Sequence, residues 1–354
     1  MKYELVVENP VLGVRYDISN IVEEIRNETH ISDYPGKLEF SFHDNTDVQI
    51  KNGNTVYLSI DETKIFSGFV FSTQVDEDNF VKVTAYDCLR YFKNTDFLII
   101  QEGETDEGIP LNTIYEVVAT CCMRNNLKAL KIVEALGPNE GPTRLSPYIF
   151  NGNTYFEIIE HCIDEMLVRK GIWYFVRAVR NEFDRVEIRN IRNLNDDEPV
   201  IIITDDEQLI RKYTYSRSID EDTFNQIRYT KEVEEGEGSE KITKRYHYMV
   251  SNQASINEWG TLQYFENLND SSLTEDQIQE RAAMMLKLKN RETQSFRITI
   301  DGSKYVFAGA PVYVNIVNLT PYGFINGKLY IVESCTHIIK GTDYSTDLNL
   351  LVVE

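Results

Sequence analysis

Over the first hundred residues, apolar and polar positions alternate in short runs separated by turn formers. Leu38, Phe40 and Phe42 follow Pro35-Gly36, and Val56, Leu58 and Ile60 follow Asn52-Gly53-Asn54. Ile65 to Phe71 forms a third run, interrupted by Gly68, and Val81, Val83 and Ala85 keep the period of two. That period sets one apolar face against a core and one polar face in water, so each run predicts a half-buried strand. Several such strands at close spacing predict a barrel or a sandwich.

The period lengthens after Phe97. Leu111, Ile114, Tyr115, Val118, Cys121 and Cys122 recur at helical spacing, and Asn125-Asn126 ends the run. Thr154 and Glu157 have the spacing of a capping box. They open a helix with Tyr155, Ile158, Ile159, Cys162, Ile163 and Met166 on its apolar face, stopped by Gly171. Ile172 to Val176 then predicts a buried strand leading into a hairpin near Asn181.

Strands return from about Asp205. Glu232 to Lys244 predicts a hairpin with an acidic tip around Gly236 and Gly238. Thr274 and Gln277 form a second capping box, opening a helix with Ile278, Ala282, Met285 and Leu286 on one face. The closing strands are Phe296 to Ile300, Val312 to Ile316, Leu329 to Val332 and Leu348 to Val353. Their turns carry Asp301-Gly302, Gly309-Ala310-Pro311 and Asn326-Gly327. The whole pattern predicts an α+β, mainly β chain in three parts: a β-rich region 1–100, a mixed helical and β insertion 101–204, and a second β-rich region 205–354. A distant duplication of one β unit fits this arrangement, although no literal repeat is visible.

Composition narrows the function more than the fold. The 354 residues suffice for about two domains at roughly 150 residues each. Abundant tyrosine (21) and phenylalanine (17) suit strands and large interfaces. The formal charge of −21 repels nucleic acid and anionic membrane at long range, so neither is an expected partner. The same acidity suits a surface that keeps a free subunit soluble. The N-terminus lacks a charged-then-apolar leader, and no stretch approaches a membrane span. Five unpatterned cysteines fit folding in a reducing cytoplasm.

The candidate chemistry is sparse. Among His30, His43, His161, His247 and His337, no pair has helical metal-ligand spacing, and Cys-x-x-Cys is absent, so neither a metal nor a cofactor is expected. Cys335 and His337 share one strand face, as a thiol nucleophile and its base would, but no oxyanion-forming turn lies beside them, and packing in a sheet wall is the plainer account. Cys121 and Cys122 are adjacent like a redox pair, yet on a helix they point about 100° apart, which favours burial. Asp205-Asp206 could do acid–base work, but with 57 acidic residues close pairs arise by chance. Glu232, Glu234, Glu235 and Glu237 make a solvated loop tip. Trp173 and Trp259, the two tryptophans, lie in patterns that look buried. No phosphate-binding glycine loop and no Gly-x-Ser-x-Gly occurs. A non-catalytic, structural protein is the expectation.

One segment is distinctive: Val83-Thr84-Ala85-Tyr86-Asp87-Cys88-Leu89-Arg90-Tyr91-Phe92-Lys93-Asn94-Thr95-Asp96. A strand ending at Tyr86 hands over to Asp87, which can cap a short helix carrying Leu89, Arg90 and Tyr91 up to Asn94. This segment resembles the signature of the XkdQ/YqbQ-like baseplate hub proteins of contractile phage tails and phage-tail-like bacteriocins. The resemblance continues in order through Pro35-Gly36-Lys37-Leu38, Phe66 to Val70, Thr154 to Ile159 and Ser218-Ile219-Asp220. It extends through Phe224-Asn225-Gln226-Ile227, Gly260 with Leu262 and Gln263, Gly309 with Val312, and Thr336-His337, while Glu102 to Pro147 departs from the pattern.

The resemblance implies two tube-protein-like β-barrels, one in 1–100 and one in 205–354, with the insertion between them. It implies a homotrimer whose six barrels form a ring joining a sixfold tail tube to a threefold spike. The implied partners are the chain itself, the tail tube protein and the spike protein, with the tape-measure and baseplate wedge proteins as further contacts. The particle would be assembled from subunits made in the bacterial cytoplasm. Tyr86, Asp87, Leu89, Arg90, Tyr91, Asn94 and Asn225 are then structural signature residues, and Arg90 is expected to make a fixed polar contact within or between subunits. A tail-associated cell-wall hydrolase is the enzymatic rival, and a carbohydrate-binding β-protein, for which exposed tryptophans would be expected, is a second.

Overall fold

The computed structural model describes residues 1–9, 11–31, 35–43, 48–101, 113–130, 144–171, 173–190, 200–205, 209–220, 222–235, 242–268 and 274–352. Leu111, Ile172, Asp206, Gly236, Glu237, Gly238 and Val353 lie outside them. Among the described residues strand outweighs helix by 52% to 21%, so the fold is α+β and mainly β. Its strands are β1 (Tyr3–Asn9), β2 (Val14–Asp17), β3 (Val22–His30), β4 (Lys37–His43), β5 (Thr55–Ile60), β6 (Thr63–Val75), β7 (Phe80–Tyr86), β8 (Thr95–Ile100), β9 (Lys128–Leu130), β10 (Tyr148–Thr154), β11 (Tyr174–Ala178) and β12 (Arg185–Asn190). They continue with β13 (Ile201–Thr204), β14 (Ile210–Ser218), β15 (Gln226–Glu235), β16 (Ile242–Ser251), β17 (Gln263–Leu268), β18 (Thr293–Asp301), β19 (Pro311–Asn315), β20 (Leu329–Lys340) and β21 (Asp343–Val352). The α-helices are α1 (Ile114–Arg124), α2 (Tyr155–Lys170), α3 (Gln253–Trp259) and α4 (Glu275–Lys289).

The chain divides into two compact units. The larger comprises Met1–Glu165, Ile172–Tyr215 and Phe296–Glu354, and the smaller Met166–Gly171 with Ser216–Ser295.

The larger unit is organised by one 13-stranded sheet in the order β14-β18-β21-β20-β3-β4-β7-β6-β5-β1-β2, with β13 and β19 joined to it through β20. Strand β20 is the joint. Its first residues, Leu329 to Ile331, pair with β19, and Ser334 to Lys340 pair with β3. Along its other edge it pairs with β21, with a register shift between Val332 and Ser334. One extra residue there keeps Val332, Cys335, His337 and Ile339 on the face shared with Leu350, Leu348, Thr346 and Tyr344, instead of flipping half the strand outward.

That face carries two apolar clusters. One gathers Leu5, Ile25, Leu38, Phe40, Val83 and Ile339, and the other Phe296, Val312, Tyr330, Val332, Cys335 and Leu348. Between them runs a buried polar row, Asn27 opposite His337 opposite Thr346. The sequence reading located β4 to β7 from their alternation but singled out none of β1, β2 or β3, whose charged outward positions hide the period.

The mixed segment adds a β8–β10 pair and a β11-β12-β9 sheet in which β12 and β9 run parallel. Helix α1 opens on a capping box formed by Thr113 and Glu116, which the sequence reading missed. Helix α2 opens on the expected one: Glu157 N donates to Thr154 Oγ1 at 3.2 Å and Thr154 N to Glu157 Oε2 at 2.7 Å.

In the smaller unit the sheet order is β16-β15-β17, with β17 parallel to β15. Ile227, Tyr229 and Leu268 bury one sheet face with Ile278, Ala282, Met285 and Leu286 of α4. The Thr274–Gln277 capping box opens α4 as expected. Trp173 and Trp259 are each partly exposed, which corrects the buried reading: a ring that large is seldom covered completely, even when its body packs.

Candidate functional site

The signature segment folds as a strand, a cap and a short 3₁₀ helix. Strand β7 ends at Tyr86, and Asp87 in extended conformation starts the turn Cys88–Lys93. Leu89 N donates to Asp87 Oδ1 at 3.0 Å. The other carboxylate oxygen accepts from Gly36 N at 2.8 Å, and Asp87 N returns a bond to Gly36 O at 3.0 Å. Two family motifs 51 residues apart thus close on each other. A Cβ at position 36 would sit 2.5 Å from Asp87 Oδ2, so only glycine fits the approach. Asp87 is buried, and burial pushes its carboxyl up to about 7 against the lowering effect of the Gly36 and Leu89 bonds. A void of about 20 Å3 beside Asp87, Thr29 and Arg177 has room for about one water.

The neighbouring signature residues lock this turn in place. A Cβ at Gly68 would overlap the Tyr86 carbonyl oxygen, which explains the glycine inside an otherwise apolar strand run. The Phe71 ring meets Tyr86 at 5.6 Å and Tyr91 at 6.1 Å, and the Arg90 guanidinium lies 5.2 Å from its centre. Within the chain, then, the contact shown for Arg90 is an aromatic face. Leu89 and Phe92 are buried, and Phe92 packs on Tyr155 and Phe156 at the start of α2. Asn94 ends the turn: its Nδ2 donates to Asn125 Oδ1 at 2.9 Å, and its carbonyl accepts from Tyr155 N at 3.1 Å.

In the smaller unit Asn225 does similar work with a neutral amide. Nδ2 donates to Gly260 O at 2.7 Å and Oδ1 accepts from Leu262 N at 2.8 Å. Its backbone N donates to Leu262 O at 2.9 Å, and its carbonyl accepts from Asn252 N at 2.9 Å. Gln226 Nε2 adds a bond to Gln263 Oε1 at 2.7 Å. The Phe224–Ile227 and Gly260–Gln263 motifs, weak when read separately, are the two halves of one hydrogen-bonded clamp. No signal in the sequence paired them.

The residues with catalytic appearance are placed for packing. Cys335 Sγ lies 3.4 Å from His337 Nε2, as the shared face required. Burial raises the thiol, and burial followed by the Arg180 charge lowers His337 to about 4. Both groups are therefore neutral at pH 7, the reverse of a thiolate–imidazolium pair. His337 Nδ1 is 2.9 Å from Tyr344 Oη and 3.5 Å from Thr346 Oγ1. Cys121 and Cys122 are both buried free thiols, pushed upward chiefly by that burial, and both belong to the packed side of α1. Among the described residues no group of three His, Cys, Asp or Glu could hold a metal ion.

Buried polar residues fasten the motifs of this mainly β chain together, and comparison with known proteins gives its class: a fold shared with solved phage tail proteins. The YqbQ-like family model matches residues 25–351, and the chain belongs to that family. The chain is 25% identical to the phage-like element PBSX protein XkdQ of Bacillus subtilis over 337 residues, which is 94% of this chain and 92% of XkdQ. It shares its fold with the 43 kDa tail protein of prophage MuSo2 from Shewanella oneidensis, at TM-score 0.66 and 11% identity over 99% of this chain and 98% of that one. An Escherichia coli type VI secretion component described as structurally similar to the phage T4 tail proteins gp27 and gp5 matches at TM-score 0.53 and 9% identity, over 100% of this chain and 77% of that one.

Proposed function

We propose that this chain is the hub subunit of a contractile tail-like baseplate, a non-enzymatic adaptor between tail tube and spike. The observation that carries the proposal is the Asp87–Gly36 closure. It spends Asp87, at the centre of the family signature, on internal geometry. Family membership over residues 25–351 and the tail-protein fold support the same reading.

In this proposal 1–100 and 205–354 supply two tube-like barrels, separated by the 101–204 insertion. Three copies form a ring of six barrels below the sixfold tube and above the threefold spike. The partners are the chain itself, the tail tube protein and the spike protein, with the tape-measure and wedge proteins beside them; nucleic acid and membrane are not bound. The subunit is made in the bacterial cytoplasm and carried in the particle. Arg90 has its polar partner on a neighbouring subunit. Purified protein leaves peptidoglycan intact.

Electron microscopy of the assembled particle with this subunit labelled tests the proposal. The label is expected at the junction of tube and spike. A label along the sheath, along the length of the tube or on the fibres would reject the hub role.

A further inference from the structure

The sheet of the smaller unit, β16-β15-β17, has two open edges: among the described residues no strand lies beyond β16 or β17. Which main-chain groups face those edges follows from parity. Asn252 N donates to Asn225 O, and Gln226 N donates to Leu262 O. Alternation from the first bond turns the main chain of Val250, Tyr248 and Tyr246 toward β15, and that of Ser251, Met249 and His247 outward. Alternation from the second turns Tyr264 and Glu266 toward β15, and Gln263, Phe265 and Asn267 outward.

The outward residues also share one sheet face. Tyr229, Tyr248 and Tyr264 pack in the core beneath α4, so the residues next to them in sequence point the opposite way. On that opposite face Met249, Arg228 and Phe265 stand side by side. Met249 is 62% exposed and Phe265 56%, so each end of one row leaves a large apolar side chain in water. Edge strands that stay in water are ordinarily short, charged, bulged or broken by proline. Strand β2, at one end of the larger sheet, follows that rule with four residues that include Arg15 and Asp17. Strand β16 departs from it: ten residues in unbroken register with β15, with neither proline nor an acidic or basic side chain from Tyr248 to Ser251.

We propose that β16 of one copy pairs antiparallel with β17 of a second copy, setting Met249 opposite Phe265, His247 opposite Asn267 and Ser251 opposite Gln263. Each pair joins residues whose main chains both face outward, so each exchanges two backbone hydrogen bonds. The same register lays the two exposed apolar side chains on each other and matches polar residues with polar ones. Sliding it by two residues either way sets Met249 against Gln263 or Asn267. Two β16 strands paired with each other leave Phe265 uncovered. Because β16 and β17 are different surfaces, the contact runs head to tail and passes from copy to copy until a ring closes. The number of copies in that ring rests on the hub reading; the pairing itself does not.

The test is disulfide trapping in the assembled particle, with the full-length chain carrying both Met249→Cys and Phe265→Cys. Residues opposed in this way have Cα atoms about 5.5 Å apart, within reach of a disulfide. Mild oxidation is expected to give a ladder of linked copies from the double variant and none from either single variant, since the native cysteines are buried. Ser251→Cys with Gln263→Cys, the next pair in register, takes its place if the first pair blocks assembly. In the unsubstituted chain the outward amides should exchange about tenfold or more slowly in the particle than in the free subunit. No ladder from either double variant, a ladder from Met249→Cys alone, or unchanged exchange at Met249 and Phe265 would each overturn the proposal. A ladder closing at a number other than three supports the pairing and rejects the threefold ring. Three copies seen by imaging, with no ladder, reject the pairing alone.

Discussion

Asp87 and Asn225 solve the same problem in two separate units with opposite chemistry. Each is buried, and each ties together chain segments that the sequence keeps apart. Asn225 carries both N–H donors and an acceptor oxygen, so it can face a carbonyl and an N–H at once, Gly260 O and Leu262 N. Asp87 only accepts when ionised, so it stands where two backbone N–H groups converge, those of Gly36 and Leu89. The amide satisfies its surroundings at every pH. The carboxylate does so while resisting ionisation, because burial outweighs its two bonds. A buried polar residue in such a fold is thus chosen by the groups it must meet, and only the charged choice brings a pH dependence.

Exchanging the two chemistries should break the clamp first. Asn225→Asp sets a carboxylate oxygen against Gly260 O and buries a charge with no cation among its bonding partners. The expected loss is about 3–5 kcal/mol at pH 7, read by denaturant unfolding of the smaller unit. A loss below about 1 kcal/mol would show that the clamp does not hold the unit together.

Removing the carboxylate comes next in size. Asp87→Ala loses a helix cap, about 1 kcal/mol, and orphans the Gly36 N–H, about 1–3 kcal/mol more, for a total of about 2–4. An unchanged unfolding midpoint would separate the signature from the stability of the fold.

The pH profile sharpens the contrast. Folded Asp87 keeps its proton up to about pH 7, whereas the unfolded carboxyl releases it near 3.8. Between those values the folded state binds more protons, so this contribution is complete below about pH 4 and is lost as pH rises toward 7. Asp87→Asn should remove that slope from stability curves measured between pH 4 and 8, while Asn225→Gln should leave it intact. A slope that survives Asp87→Asn would assign it to other groups.

The smallest effect is expected at Arg90. Arg90→Ala forfeits the stack on Phe71, about 0.5–1 kcal/mol in the isolated subunit. A much larger loss in assembly yield than in subunit stability would place its decisive contact on a neighbour.

Much of this was legible from residues alone, for reasons that differ by element. Leu38-Phe40-Phe42 and Val81-Val83-Ala85 showed their period because one sheet face is core and the other is wet. Strand β3, Val-Glu-Glu-Ile-Arg-Asn-Glu-Thr-His, hid its own, because it places Asn27 rather than an apolar residue in the buried row between the two clusters. Asp87 was readable as a cap, since a cap is a local bond to Leu89. Its second bond, to Gly36, was not, because nothing local specifies which distant N–H will arrive. The Asn225 clamp failed to show for the same reason. The Cys335–His337 face was readable from parity, while the shifts that keep both groups neutral needed the burial that only the folded sheet supplies. The division into compact units followed packing: 216–295 forms the core of its own unit, while β20 brings β3 and β21 into one sheet.

The central claim is that this subunit converts sixfold to threefold symmetry, and copy number tests it most directly. A reconstruction of the assembled particle should show three copies of the 41.1 kDa chain around one axis, each contributing two similar β-units to a ring of six. Six copies in that ring, or an obligate dimer, would contradict it.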